Sequence, residues 1–233
     1  MNAGGCVRYR TDGQRVVNES LCGKGLANHV GTQSRIGVRT TDKATFLLTN
    51  PDVLTRARKI KLFLMDVDGT LTDGGVCLIA PLAIEDHVAV CVTEMKVFNA
   101  QDGQGLSIAH TTGILTGFIT GRRSPAVEQR AKELNVHFVC LGQATKTLAY
   151  EECMRQAGVV EDEIAYLGDD LPDIPLAKRS GLGVCVADGA VELKQACHYT
   201  IQRRGGRGAA REVIELILKA QGRWEEAVPL ALA

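Results

Sequence analysis

The chain has 233 residues, enough for one domain with a substantial core. Its 27 Lys and Arg residues balance 27 Asp and Glu, so nothing in the charge favours nucleic acid or a membrane surface as a partner. A hydrophobic content of 45% is ordinary for a globular protein, and no apolar run approaches the ~20 residues of a membrane helix.

Residues 1–58 are rich in Gly, Arg, Thr and Asn and lack sustained apolar periodicity, which predicts a poorly ordered extension. Its start, "MNAGGCVRYRTDGQR", has no apolar signal core. "DVLTRARKI" is expected to form a short helix leading into the first strand. From residue 59 the pattern becomes rhythmic. "IKLFLMD" reads as a buried strand, "QGLSIAHTTG" as a helix stopped at Gly113, and "ILTGFIT" as a second strand. "SPAVEQRAKEL" is a helix with Ser124 as N-cap and Pro125 in the first position. "VHFVCL" is a strand, and "TKTLAYEECMRQAG" a helix ended by Gly158. "EIAYLGDD" and "LGVCVA" are strands flanking the short helix "PDIPLAKRSG". "AVELKQA", a helix, and "HYTIQ", a last short strand, precede a closing helix striped by Val213, Leu216, Ile217 and Ala220. Residues 223–233 are left as a C-terminal tail.

Strands alternating with helices predict an α/β fold, a doubly wound, Rossmann-like parallel sheet over residues 59–222. Val76 to Asn99 is too short for a cap domain and suits a small β-hairpin flap, about residues 76–99. The eight cysteines include no C-x-x-C pair, and several sit in apolar runs such as "GVCVA". They read as buried free thiols in a reducing cytoplasm rather than zinc ligands.

In open sheets of this kind the site lies beyond the carboxyl ends of the strands. Those ends carry Asp66 and Asp68, then Thr120, Gly121 and Arg122, then Lys146, then Gly168, Asp169, Asp170 and Asp173. Converging carboxylates repel one another unless a cation sits among them. An all-oxygen set suits Mg²⁺, which keeps a substrate phosphate in its shell. Thr120 and Lys146 are suitable partners for that phosphate. Asp66 is then placed to attack phosphorus, and Asp68 to protonate the leaving oxygen and later activate water. A solvated loop carboxylate is the ordinary reading of any one of these residues; the ordered set is what argues for chemistry.

These stretches resemble the four motifs of the haloacid dehalogenase superfamily: "DVDGTLTDG", "FITGRRS", Lys146 in "GQATKTL", and "YLGDDLPDIP". The resemblance implies a nucleophile at Asp66, an acid/base at Asp68, and phosphate contacts from Thr120 and Lys146. It places Mg²⁺ on Asp66, the backbone carbonyl of Asp68, and Asp169, with Asp170 and Asp173 at or behind the metal site. "KVFNAQDGQGL" and "GGRGAAREVIELILKAQG" are further similar to the 3-deoxy-D-manno-octulosonate 8-phosphate phosphatase family. That family implies a phosphorylated sugar-acid substrate in lipopolysaccharide biosynthesis, no large cap domain, and a homotetramer. By position, Phe98, Asn99, Asp102 and Gly103 would line the substrate, with Gly121 beside them and Arg122 meeting a sugar-acid carboxylate. Two features depart from the family pattern: a flap lengthened around Pro81, and the N-terminal extension. A phosphatase for another nine-carbon sugar acid (deaminoneuraminate 9-phosphate), a mainly oligomerising module and a phospho-accepting signalling domain are the competing readings.

Overall fold

The computed structural model describes residues 6–8, 50–79 and 93–230; most of the N-terminal extension, the lengthened middle of the flap and residues 231–233 lie outside them. In chain order the elements are β1 (Cys6–Arg8), α1 (Pro51–Ala57), β2 (Leu62–Met65), β3 (Cys77–Ile79), β4 (Thr93–Met95), α2 (Ala100–Thr111), β5 (Leu115–Ile119) and α3 (Pro125–Glu133). Then follow β6 (Phe138–Cys140), α4 (Lys146–Ala157), β7 (Ile164–Gly168), α5 (Ile174–Arg179), β8 (Leu182–Cys185), α6 (Val191–Ala196), β9 (Tyr199–Thr200), α7 (Ala209–Ala220) and α8 (Trp224–Leu230).

One sheet runs β1-β6-β5-β2-β7-β8-β9, and β3-β4 form a separate hairpin. Strands β2 and β5 to β9 are parallel, and β1 joins antiparallel to β6. The α/β architecture expected from the alternating pattern is therefore present. Alternate residues of each strand serve opposite faces. Phe63, Met65, Phe118, Leu167 and Val184 face one core, with α1, α2, α3 and α7; Leu62, Leu64, Ile119, Tyr166 and Cys185 face the other, with α4, α5 and α6. Both faces are covered, which explains why the strands read as continuous apolar runs rather than as alternating ones.

Several boundaries move. Helix α2 begins at Ala100, four residues earlier than the apolar pattern suggests, because the Asn99 side chain caps it by accepting from the Gln101 N–H at 2.8 Å. Helix α1 packs Val53 and Ala57 into the core, and α8 buries Ala227, so both flanks of the 59–222 domain carry packed helices. Cys77, Cys153, Cys185 and Cys197 are free thiols. Cys140, whose register partner across the β1–β6 edge is Cys6, is disulfide-bonded, which departs from the expectation of thiols throughout. Among the described residues no helix is long and apolar enough to cross a membrane.

The strand order reverses at β2, which has β5 on one side and β7 on the other. Chains leaving β2 and its neighbours part in opposite directions there, and the gap between them is the crevice in which such folds bind ligands.

Candidate active site

The end of β2 delivers Asp66 into this crevice, its backbone held by Asp66 N–H to Leu167 C=O at 2.9 Å. Asp66 is buried and ion-paired with Lys146, Nζ to Oδ1 at 2.9 Å, yet that oxygen makes no hydrogen bond. Lys146 opens α4, and its Nζ also donates to Asp173 Oδ1 at 2.7 Å. Asp173 is fully buried and heavily engaged. Oδ1 also accepts from the Tyr166 hydroxyl at 2.6 Å, and Oδ2 accepts from the N–H groups of Asp169 and Asp170 at 3.0 and 3.3 Å. Asp169 accepts from Thr70 Oγ1 at 2.9 Å, the contact through which the threonine of "DVDGT" fixes a carboxylate. Gly69 is required here: its φ of +86° is the left-handed region, and a Cβ would lie 2.0 Å from Asp169 Oδ2.

Carboxylate oxygens of Asp66, Asp169 and Asp173 all lie within 4.8 Å of one another. One ammonium does not neutralise three carboxylates, and the ionisation behaviour reflects that. Burial, reinforced by Asp173 and opposed by Lys146, pushes Asp66 up to about 6. Burial, with Asp66 and Asp173 adding repulsion, pushes Asp169 up to about 7. For Lys146, burial works against the charged form, but Asp66 and Asp173 outweigh it and raise its pKa. A hard divalent cation fits this set. The donors are oxygens, the charge is uncompensated, and Asp66 Oδ1 is buried with no hydrogen bond. Because Asp173 already serves Lys146, Tyr166 and two backbone N–H groups, Asp66 and Asp169 are the side chains left to hold the ion.

The remaining sequence-predicted residues are distributed as follows. The Asp68 side chain is not one of this carboxylate cluster and pairs with Lys96 of the hairpin. Arg122 lies nearby, its Nε 4.0 Å from Asp68 Oδ2 and its Nη2 donating to Glu94 Oε1 at 2.9 Å. Thr120 is buried at the end of β5, its N–H donating to Cys140 C=O at 3.0 Å and its Oγ1 accepting from the Arg122 N–H at 3.3 Å. Gly121 is exposed beside it and Asp170 is exposed beyond Asp169.

Phe98, Asn99, Asp102 and Gly103 have structural partners of their own. Phe98 packs on the core beneath the Arg130 guanidinium. Asn99 caps α2 and donates to Gly206 C=O at 3.3 Å. Asp102 is buried and accepts from the Arg211 N–H at 3.0 Å, in the first turn of α7. Gly103 faces α3, where a Cβ would lie 2.8 Å from Arg130 Nη2. Phe98 and Gly103 seat against Arg130 of α3, while Asn99 and Asp102 tie α2 to α7 and the loop before it. That loop in turn seats on the first motif, with Gly206 N–H donating to Thr70 C=O at 3.0 Å. A Cβ on Gly205 would lie 1.8 Å from Gly69 O, so only glycine permits the approach.

Sequence reasoning missed Glu94, Lys96 and Tyr166. Two charged residues at alternate positions in "TEMKVF" are the only signal for the first two; nothing local marks Tyr166.

Residues 138–212 match the haloacid dehalogenase-like hydrolase family. The chain is 37% identical to a 3-deoxy-D-manno-octulosonate 8-phosphate phosphatase of Salmonella typhimurium over 178 residues, 76% of this chain and 89% of that protein. It is 38% identical to the enzyme of that name from Yersinia pestis, over 78% of this chain and 91% of the relative. Among solved structures, the 3-deoxy-D-manno-octulosonate 8-phosphate phosphatase of Moraxella catarrhalis, in complex with magnesium ion, phosphate ion and KDO, superposes with a TM-score of 0.68 at 38% identity. That superposition covers 77% of this chain and 97% of the other. A cobalt-bound form of the Haemophilus influenzae phosphatase gives 0.63 at 34% identity, covering 72% and 92%. The carboxylate crevice at the switch point and these relatives lead to one placement: the chain belongs to the 3-deoxy-D-manno-octulosonate 8-phosphate phosphatase family of haloacid dehalogenase-like hydrolases.

Proposed function

We propose that this chain hydrolyses a phosphorylated sugar acid, 3-deoxy-D-manno-octulosonate 8-phosphate, to the free sugar acid and phosphate, in the cytoplasmic supply of lipopolysaccharide precursors. The observation that carries the reading is the Asp66–Lys146–Asp169 group, in which a buried carboxylate and a buried ammonium meet a second, half-buried carboxylate at one strand-end crevice.

Asp66 attacks phosphorus, forming a P–O bond as the bond to the sugar oxygen breaks. Asp68 gives that oxygen its proton. Asp68 then takes a proton from water, which attacks the aspartyl phosphate and restores the Asp66 carboxylate as phosphate leaves. Lys146 and Thr120 hold the phosphate oxygens, and Arg122 meets the sugar-acid carboxylate at the crevice edge. Asp66, Asp169 and the Asp68 carbonyl would hold Mg²⁺, which when bound would supply positive charge beside the transferring phosphoryl group. Asp173 and Tyr166 fix Lys146 from behind.

The active form is a homotetramer in this reading. On the hairpin, Ile79, Met95 and Val97 are 50%, 48% and 65% exposed, an apolar face that a second copy of the chain would cover. Phosphate release from a panel of sugar-acid phosphates, with Mg²⁺ and with chelator, tests the assignment. Preference for the eight-carbon acid phosphate supports it. Preference for deaminoneuraminate 9-phosphate would transfer the assignment to the nine-carbon acids, and release that ignores chelation would remove the metal.

A further inference from the structure

The β3–β4 hairpin carries its side chains inside out. From β4 onward, Met95 and Val97 face solvent, whereas the alternate residues Glu94 and Lys96 turn into the crevice with side chains only 17% and 2% exposed. An ammonium taken out of water this far is costly unless it is paired. Lys96 has two partners: it donates to Asp68 Oδ1, and Glu94 Oε1 lies 3.4 Å from its Nζ. Glu94 is anchored in turn. Arg122 donates to it, and the Ser124 hydroxyl first, then Lys96 and Arg122, hold its carboxyl below the usual range against the opposing effect of burial.

Asp68 is thus gripped by one oxygen only. Its other oxygen, Oδ2, is buried without a hydrogen bond, with Arg122 Nε 4.0 Å away. One buried contact from the hairpin, made across 28 residues of chain, sets the direction of the carboxyl group.

We propose that Lys96 is a positioning residue for Asp68, holding Oδ1 so that Oδ2 is the oxygen aimed at the departing group of the substrate. The proposal rests on the phosphatase reading above. In the step it serves, Asp66 forms its bond to phosphorus, the bond to the leaving oxygen breaks, and the proton passes from Asp68 Oδ2 to that oxygen; Lys96 neither gains nor loses a proton. A sugar alkoxide is a poor leaving group and depends on this proton, whereas a nitrophenolate departs without one. Losing Lys96 should therefore matter according to the leaving group.

The test compares 3-deoxy-D-manno-octulosonate 8-phosphate with p-nitrophenyl phosphate in Mg²⁺ for the wild-type chain, Lys96→Met and Lys96→Arg. With the sugar phosphate, kcat/KM of Lys96→Met, which ends at departure of the leaving group and excludes the later water step, should fall roughly 10- to 100-fold, and with the aryl phosphate by less than about threefold. Lys96→Arg should recover most of the loss. Lys96→Gln repeats the comparison if Lys96→Met fails to fold, and Glu94→Gln should give the same leaving-group pattern more weakly. Equal losses on both substrates in a variant that melts as wild type, or no loss on either, overturns the assignment of Lys96. A wild-type chain that releases phosphate from neither substrate overturns the phosphatase reading itself, a separate result.

Discussion

Charge is gathered at both ends of the central sheet, with opposite consequences. At the amino ends of the strands, Arg58, Lys59, Lys61, Asp162, Glu163 and Arg223 line a cavity of about 860 Å³. Its ion pairs are wet: Lys59 and Asp162 meet at 3.1 Å with side chains 53% and 70% exposed. There the Lys61 ammonium, with the Val160 N–H, holds the Glu163 carboxyl below its usual range. At the carboxyl ends, Asp66 and Asp169 are shifted the other way, by burial first and then by neighbouring carboxylates that share one ammonium. The amino-end cavity is a set of satisfied pairs, and the crowded crevice is the reactive one. Desolvation and uncompensated charge, rather than the number of charged residues, separate a catalytic site from a solvated rim.

The comparison breaks most sharply under single substitutions at the two ends. Asp66→Asn should lower kcat for phosphate release by at least about 10⁴-fold with the fold retained, whereas Asp162→Asn at the opposite cavity should leave kcat within about twofold. Comparable losses from both would remove the distinction. Next in size is Lys146→Met. It leaves Asp66 and Asp173 buried without their ammonium, and urea unfolding without metal should show about 3–5 kcal/mol of lost stability. Its counterpart Lys59→Met should cost less than about 0.5 kcal/mol; a similar cost at both sites would mean the crevice pair is as solvated as the rim pair.

A third expectation concerns pH. In the folded, metal-free chain Asp66 and Asp169 keep their protons up to about 6 and 7, while the unfolded chain ionises them near the ordinary Asp value. The unfolded state therefore binds fewer protons across that window, and stability falls as pH rises from about 4 to 7. Within that window cation and protons compete for the same oxygens. Above it, Mg²⁺ relieves a repulsion already at full strength. Thermal melts should show a larger Mg²⁺-induced rise in Tm at pH 8 than at pH 5, and an equal rise at both would contradict the raised values. The smallest effect sharpens the other end: added Mg²⁺ should leave the melting difference between wild type and Lys59→Met unchanged.

Much of this organisation was legible in the chain. The apolar runs ending in Asp66, Thr120 and Gly168 identified the strands, and their carboxyl ends marked the crevice, because a parallel sheet covered on both faces buries its strands wholly. The helix at Ala100 was placed too late because Gly103 and Gly105 weaken the helical pattern. Their lack of side chains is used to let Arg130 and Arg211 approach, a tertiary reason that no local pattern displays. The motif resemblance implies substrate contacts at Phe98, Asn99 and Asp102; the structure partners Phe98 with Arg130 of α3, and Asn99 and Asp102 with groups in the α2–α7 junction.

By itself the amino-acid order determined the parallel strands, the crevice and which acidic residues arrive there, because strand period and turn chemistry act over a few neighbouring residues; the antiparallel edge strand β1 was not among them. Only the tertiary structure decided that Asp173 completes the carboxylate cluster while Asp68 turns to Lys96. Those choices depend on side chains meeting across 27 and 28 residues of chain. Their direction is set by burial and by the balance of charge in the assembled crevice, and neither exists until the strands are side by side.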